Sequence, residues 1–202
     1  MKRKIASELL KIKAVFLRPD NPFVWASGIK SPIYCDNRLI LGFPSVRTIV
    51  EEAIAETVRK EYPETQALMG TSTAGIAHAA IAAQILDLPM GYVRGSAKDH
   101  GRNNRIEGRL DKGEKVVVIE DLISTAGSCV EVVDALREAG AEVLGVVSIF
   151  TYGMKKGLDR LAEAGVENHS LTDISTLLDV AVDQHYITES QKSEVRKFIS
   201  SL

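Results

Sequence analysis

Residues 116–119, Val-Val-Val-Ile, form an unbroken β-branched run. A strand with one wet face alternates apolar and polar residues, so a continuous run belongs to a strand covered on both faces. At 128–139 the apolar positions Val130, Val133, Leu136 and Ala139 share one helical stripe, and Gly140 stops the helix. Residues 143–150 give a further strand. Covered strand, helix and covered strand make a parallel pair joined by a crossover helix, which commits the chain to an α/β fold. The same alternation holds upstream, with a strand at 67–69, an Ala-rich helix at 76–86 and a strand at 90–93. Helical spacing marks 4–15 and 45–60, and short aromatic or β-branched pieces at 23–25 and 33–35 suit hairpin strands. At the far end Thr188 and Gln191 have capping-box spacing, ahead of a helix with Val195, Phe198, Ile199 and Leu202 on one face. The expected architecture is a parallel sheet flanked by helices, built as one domain over 1–202.

Composition narrows the classes. With 202 residues, 45% hydrophobic and 26% charged, the chain can bury a core without staples. The longest apolar run is about five residues, far from the ~20 that span a bilayer, so no membrane association is expected. Lys4, Glu8 and Lys11 interrupt the apolar positions at the start, so no signal core is expected there. A net charge of −2 argues against nucleic acid as a partner. Two cysteines, Cys35 and Cys129, are too few for a disulfide scaffold, and a reducing cytoplasm is the expected compartment.

In parallel sheets ligands bind beyond the carboxyl ends of the strands. Three segments follow strands there: 70–75, 94–109 and 120–128. The last is the most informative. Glu120 and Asp121 stand together at a strand end, followed by Leu122, Ile123, Ser124, Thr125, Ala126, Gly127 and Ser128. Hydroxyls and backbone N–H groups at a helix N-terminus bind phosphate, and Gly127 allows close approach. Two acids beside a phosphate cradle make sense for a ligand that also carries neutral hydroxyls. A ribose 5-phosphate is one: phosphate on the loop, carboxylates on the 2- and 3-hydroxyls. An acidic turn with an N-cap is the plainer alternative for the acids alone. Residues 70–75 have Gly-x₄-Gly, but Ile76-Ala77 replaces the Lys-Ser/Thr of a nucleotide-binding P-loop, leaving an anion loop without its lysine. Segment 94–109 carries five Lys and Arg against Asp99 and Glu107, with Gly95 and Gly101 suited to a lid. His169 and His185 show no ligand spacing, so no protein-borne metal site is expected. His78 reads as a partly buried helix residue.

The string 116–128 resembles the signature of the type I phosphoribosyltransferase family. Three further segments are similar to the members that act on orotate: Ser27 to Arg38 (SGIKSPIYCDNR), Gly70 to Ala79 (GTSTAGIAHA) and Tyr92 to Gly101 (YVRGSAKDHG). The resemblance implies transfer of a phosphoribosyl group from 5-phosphoribosyl 1-diphosphate to orotate. It implies that 1–44 contribute an N-terminal hood. It also implies that Arg94, Lys98 and His100 contact the diphosphate, and with Asp121 serve catalysis. Residues 120–128 would hold the ribose phosphate, and Ser124 would touch orotate. Mg²⁺ would ride on the substrate, and the enzyme would be a homodimer whose 94–109 loop closes over the neighbour's site. The sequence departs from some members at Gly95, Ala26 and Ala74, where they carry basic residues, and no arginine follows the last strand near 151–153. Lys30 and Arg38 are then candidates for the cation opposite the orotate carboxylate. A transferase for another base and a non-catalytic sensor of the sugar diphosphate stay open.

Overall fold

The computed structural model describes residues 1–24, 30–95 and 105–201. Its centre is a six-stranded sheet of β5 (Ala67–Thr71), β6 (Met90–Val93), β7 (Ile106–Glu107), β8 (Lys115–Ile123), β9 (Glu142–Thr151) and β10 (Asn168–Asp173), in the order β10-β9-β8-β5-β6-β7. Five strands are parallel and β7 runs antiparallel to β6. The unbroken apolar run of β8 is explained by the two cores it serves. Val117 and Ile119 face one core, Val116 and Val118 the other, all fully buried. Helices α1 (Lys2–Lys11), α2 (Pro44–Glu61), α3 (Ala74–Leu86), α6 (Ile174–Asp183) and α7 (Glu189–Ser200) supply side chains to the first core. Helices α4 (Gly127–Glu138) and α5 (Lys155–Glu163) cover the second.

Before the sheet, β1 (Val15–Leu17) pairs with β4 (Ile33–Cys35) and β2 (Phe23–Val24) with β3 (Lys30–Ser31), both antiparallel. A 3-10 helix, Asn37–Gly42, then leads into α2. No described helix is long and apolar enough to cross a membrane.

The structure moves several boundaries. The first helix ends at Lys11, because the chain turns at Lys13 (φ 57°) and Val15 already pairs in β1. Strand β8 continues through Asp121 to Ile123, since β9 runs alongside it to Thr151, so the acids lie in the strand rather than in a turn. Helix α4 begins at Gly127, one residue early. Segment 94–109 is closed at its base: Glu107 pairs with Tyr92, Ile106 with Val93, and the Arg94 N–H donates to the Arg105 carbonyl at 2.8 Å.

The chain lays down β5, β6 and β7 toward one side, then returns to place β8, β9 and β10 on the other. The reversal falls between β5 and β8. Connections that leave in opposite directions open a crevice at such a point. Here α3 departs over one face after Thr71 and α4 over the other after Ile123.

Candidate active site at the β5–β8 crevice

Asp121 and Glu120 alternate across β8, so they occupy different environments. Glu120 is 5% exposed. Its Oε1 accepts from the Thr71 hydroxyl at 2.8 Å and from the Asp121 N–H at 2.9 Å. Burial, then a hydrogen bond and like charge shared with the Asp121 carboxyl, push its pKa up to about 8. Asp121 is half-buried. The two acids are therefore unequal: Glu120 ties β5 to β8 and braces Asp121, which is the more open to a ligand.

Residues 124–126 leave β8 and turn into α4. Ala126, at the N-cap, has φ 58° and is buried, so the loop takes a left-handed turn at an alanine. No side chain caps α4, which leaves its first N–H groups free of a side-chain acceptor. An anion over this loop would supply one. Helix α5 holds the loop from outside. A Cβ on Gly157 would lie 2.3 Å from the Ser124 carbonyl oxygen, and Arg160 Nη1 donates to the Thr125 carbonyl at 3.0 Å. Gly127 faces only the Arg160 guanidinium, 3.0 Å from where its Cβ would stand.

The opposite wall is the β5–α3 loop. A Cβ on Gly75 would meet the Ile119 carbonyl oxygen at 2.4 Å and Thr71 Oγ1 at 2.5 Å, so only glycine lets α3 start this close to β8. Ser72 Oγ donates to the Val93 carbonyl at 2.6 Å, which fixes the loop to the end of β6, and the Ser72–Thr73 peptide is cis. Arg94 comes next in the chain. Its Nη1 lies 3.7 Å from Glu107 and is buried with no hydrogen-bond acceptor among the described residues.

The structure thus gathers Arg94, Glu120, Asp121 and 122–128 at the carboxyl ends of β5, β6 and β8. Lys98 and His100 lie outside the described residues. Leu122 and Ile123 remain in the strand, and the Ile123 side chain is buried, which leaves backbone groups as its means of contact. Arg38 is bound to Asp36 through Nε at 2.6 Å and Nη2 at 2.8 Å, and Lys30 is exposed on β3. His78 is fully rather than partly buried: Nδ1 stands 2.6 Å from Glu51 Oε1, joining α3 to α2. Among the described residues no group of three or more His, Cys, Asp or Glu could hold a metal ion.

Sequence reasoning did not reach Gly157 and Arg160, which shape the site from elsewhere in the chain; it placed Thr71 in the 70–75 anion loop but not its hydroxyl on Glu120. The partial signal for Gly157 is a glycine directly before the apolar pair Leu158 and Leu161. For Arg160 no local signal exists.

A crevice at the strand reversal, two acids on β8 and an uncapped helix behind a hydroxyl-rich loop suit a phosphorylated, hydroxyl-bearing ligand. Residues 40–185 match the family model "Phosphoribosyl transferase domain", and the chain belongs to that family. It is 52% identical over 198 residues to a protein of Listeria monocytogenes serotype 4b (strain F2365) named orotate phosphoribosyltransferase, covering 98% of this chain and 95% of the relative. Among solved structures, the orotate phosphoribosyltransferase from Aeropyrum pernix superposes with a TM-score of 0.78 at 31% identity, covering 91% of this chain and 99% of that one. The Leishmania donovani UMP synthase gives 0.82 at 27% identity; it matches 99% of this chain, which spans only 42% of that longer protein.

Proposed function

We propose that this chain transfers the 5-phosphoribosyl group from 5-phosphoribosyl 1-diphosphate to orotate, yielding orotidine 5-phosphate and pyrophosphate, a reaction of pyrimidine biosynthesis. The observation that carries the reading is the pairing of Asp121, open to the crevice, with the uncapped start of α4 one short loop away. That spacing suits a sugar whose hydroxyls face the acids while its phosphate takes the loop N–H groups. Identity of 52% to a protein named for the orotate reaction supports the choice of base.

The sugar diphosphate enters as its Mg²⁺ complex, so the metal belongs to the substrate. Mg²⁺ favours phosphate and hydroxyl oxygens with few protein ligands, and the half-buried Asp121 carboxylate is a suitable hard donor beside it. In the reaction a ring nitrogen of orotate bonds to C1 as the C1–oxygen bond to the diphosphate breaks. Positive charge builds on the ribose and negative charge on the leaving group. The protein's part is positioning and charge complementarity. Asp121, braced by Glu120, holds the ribose hydroxyls. Residues 124–128 hold the 5-phosphate, with the Ser124 hydroxyl toward orotate. Arg94, Lys98 and His100 face the diphosphate. The enzyme works as a cytoplasmic homodimer in which the loop bearing Lys98 and His100 serves the partner's site.

The test is orotate depletion, followed by its ultraviolet absorbance, with 5-phosphoribosyl 1-diphosphate and Mg²⁺. Turnover that requires all three components is expected, and its absence in a protein that still binds the sugar diphosphate contradicts the reading.

A further inference from the structure

Pairing of β5 with β8 stops at Gly70 and Ile119. Beyond that point β8 continues with β9 on one side and the crevice on the other. Along a strand, alternate carbonyls point to the same edge, so the Asp121 carbonyl, two residues beyond the last paired position Ile119, needs a donor where β5 has ended. Thr71 Oγ1, which donates to Glu120 at 2.8 Å, also lies 3.3 Å from the Ile119 carbonyl. Asn37 serves Asp121: its Nδ2 donates to the Asp121 carbonyl at 2.7 Å, across 84 residues of chain. The Asn37 side chain is fully buried, and its Oδ1 accepts from the Cys35 thiol at 3.4 Å. It opens the 3-10 helix, whose N-cap Asp36 accepts from the Arg38 N–H. The amide is therefore satisfied at both ends and held from its own element.

We infer that Asn37 is a positioning residue for ribose recognition: its amide replaces the missing β5 partner of β8 and fixes the backbone of Asp121, so that the carboxylate meets the ribose hydroxyls. The inference rests on the proposed role of Asp121. It adds that the N-terminal segment bears on the sugar as well as on the base side. Removing the amide leaves the part-buried Asp121 carbonyl without this donor. The end of β8 then loses the tether from Asn37 and keeps only the Thr71–Glu120 bond among the described side-chain bonds on the crevice side.

The experiment compares two probes, ribose 5-phosphate and 2-deoxyribose 5-phosphate, by titration calorimetry. Both carry the phosphate and only the first has the 2-hydroxyl, so the ratio of their dissociation constants reads the acids independently of the phosphate loop. Hydrogen bonds to charged groups of the usual strength make this ratio about ten or more in the wild type. In Asn37→Ala the ratio is expected to fall several-fold toward one, while 2-deoxyribose 5-phosphate binds nearly as before. A merely structural role would weaken both probes together and leave the ratio in place, and that result overturns the inference. Asn37→Ser, which keeps a polar atom too short to reach the carbonyl, gives the same comparison with less loss of packing. Circular dichroism checks both folds. Failure of the underlying reading is distinguishable, because the wild type itself would then show no preference for ribose. Failure of the inference shows only as a preference that survives in the variants.

Discussion

At the scale of single residues, the two acids illustrate how neighbouring carboxyls acquire different tasks. Glu120 is buried and its pKa is raised, so its neutral form suits the fold better than its charged form. Stability from this group is fully present below its unfolded value near 4.3 and is lost as pH rises through about 8. Glu120→Gln removes that slope. Each unit of raised pKa is worth about 1.4 kcal/mol, or about 3–6 °C in melting midpoint for a chain of this size. The midpoint of Glu120→Gln relative to wild type is therefore expected to climb between pH 5 and pH 9, as read by thermal denaturation. A difference that stays flat across that range contradicts the assignment. Asp121→Asn behaves differently. The side chain packs no core, so circular dichroism stays native, while turnover falls about ten- to a hundredfold through loss of a charged hydrogen-bond acceptor. Unchanged turnover would remove Asp121 from the site.

At the scale of elements, the 124–126 loop, the proposed phosphate site, depends on a helix that the sequence barely announces. A Cβ at Gly157 would press on the Ser124 backbone, which cannot swing aside as a side chain would. Gly157→Ala is thus expected to cost about 1–3 kcal/mol and to weaken ribose 5-phosphate binding, measurable by melting and by titration. Destabilisation without weaker binding would confine α5 to a structural role. The parts of this chain that were legible are those with local cause: β8 from its β-branched run, α4 from its stripe, and α7 from the Thr188–Gln191 box, in which both reciprocal bonds are present. Element α5 offers only Leu158 and Leu161 as apolar markers, with Leu158 exposed. Strand β10, Asn-His-Ser-Leu-Thr-Asp, is a polar edge strand without alternation. Helix α6 did carry a local sign, the Asp173 N-cap that accepts from Thr176 N–H at 2.8 Å, and it went unread. In the site, the acids and the 124–128 loop are contiguous and therefore legible. Asn37 and Thr71 lie in segments that the resemblance marks, but their bonds to β8, like that of Arg160 to Thr125, are tertiary and no window of sequence contains them.

At the scale of the whole molecule, the sheet brings the acids and Arg94 to one crevice, while the proposal of shared sites sends the loop of Lys98 to a partner. Mixing tests this. On the proposed roles, Lys98→Ala is expected to lower kcat by about 10²–10³ through loss of one cation on the leaving group, and Asp121→Asn to lower turnover as above. When the two variants are dissociated and recombined in equal amounts, half the dimers are mixed and each holds one intact site. Activity is expected to return to roughly a quarter of wild type. If the loop serves its own chain, mixing restores nothing. The central claim, phosphoribosyl transfer to orotate in particular, is tested most directly by competition among bases. Orotate, uracil, adenine, guanine and hypoxanthine are offered together with 5-phosphoribosyl 1-diphosphate and Mg²⁺, and the nucleotides formed are identified by mass spectrometry alongside the pyrophosphate released. Orotidine 5-phosphate in equal amount to pyrophosphate, with no other nucleotide, is the result this account predicts. A different nucleotide, or none from protein that binds the sugar diphosphate, would contradict it.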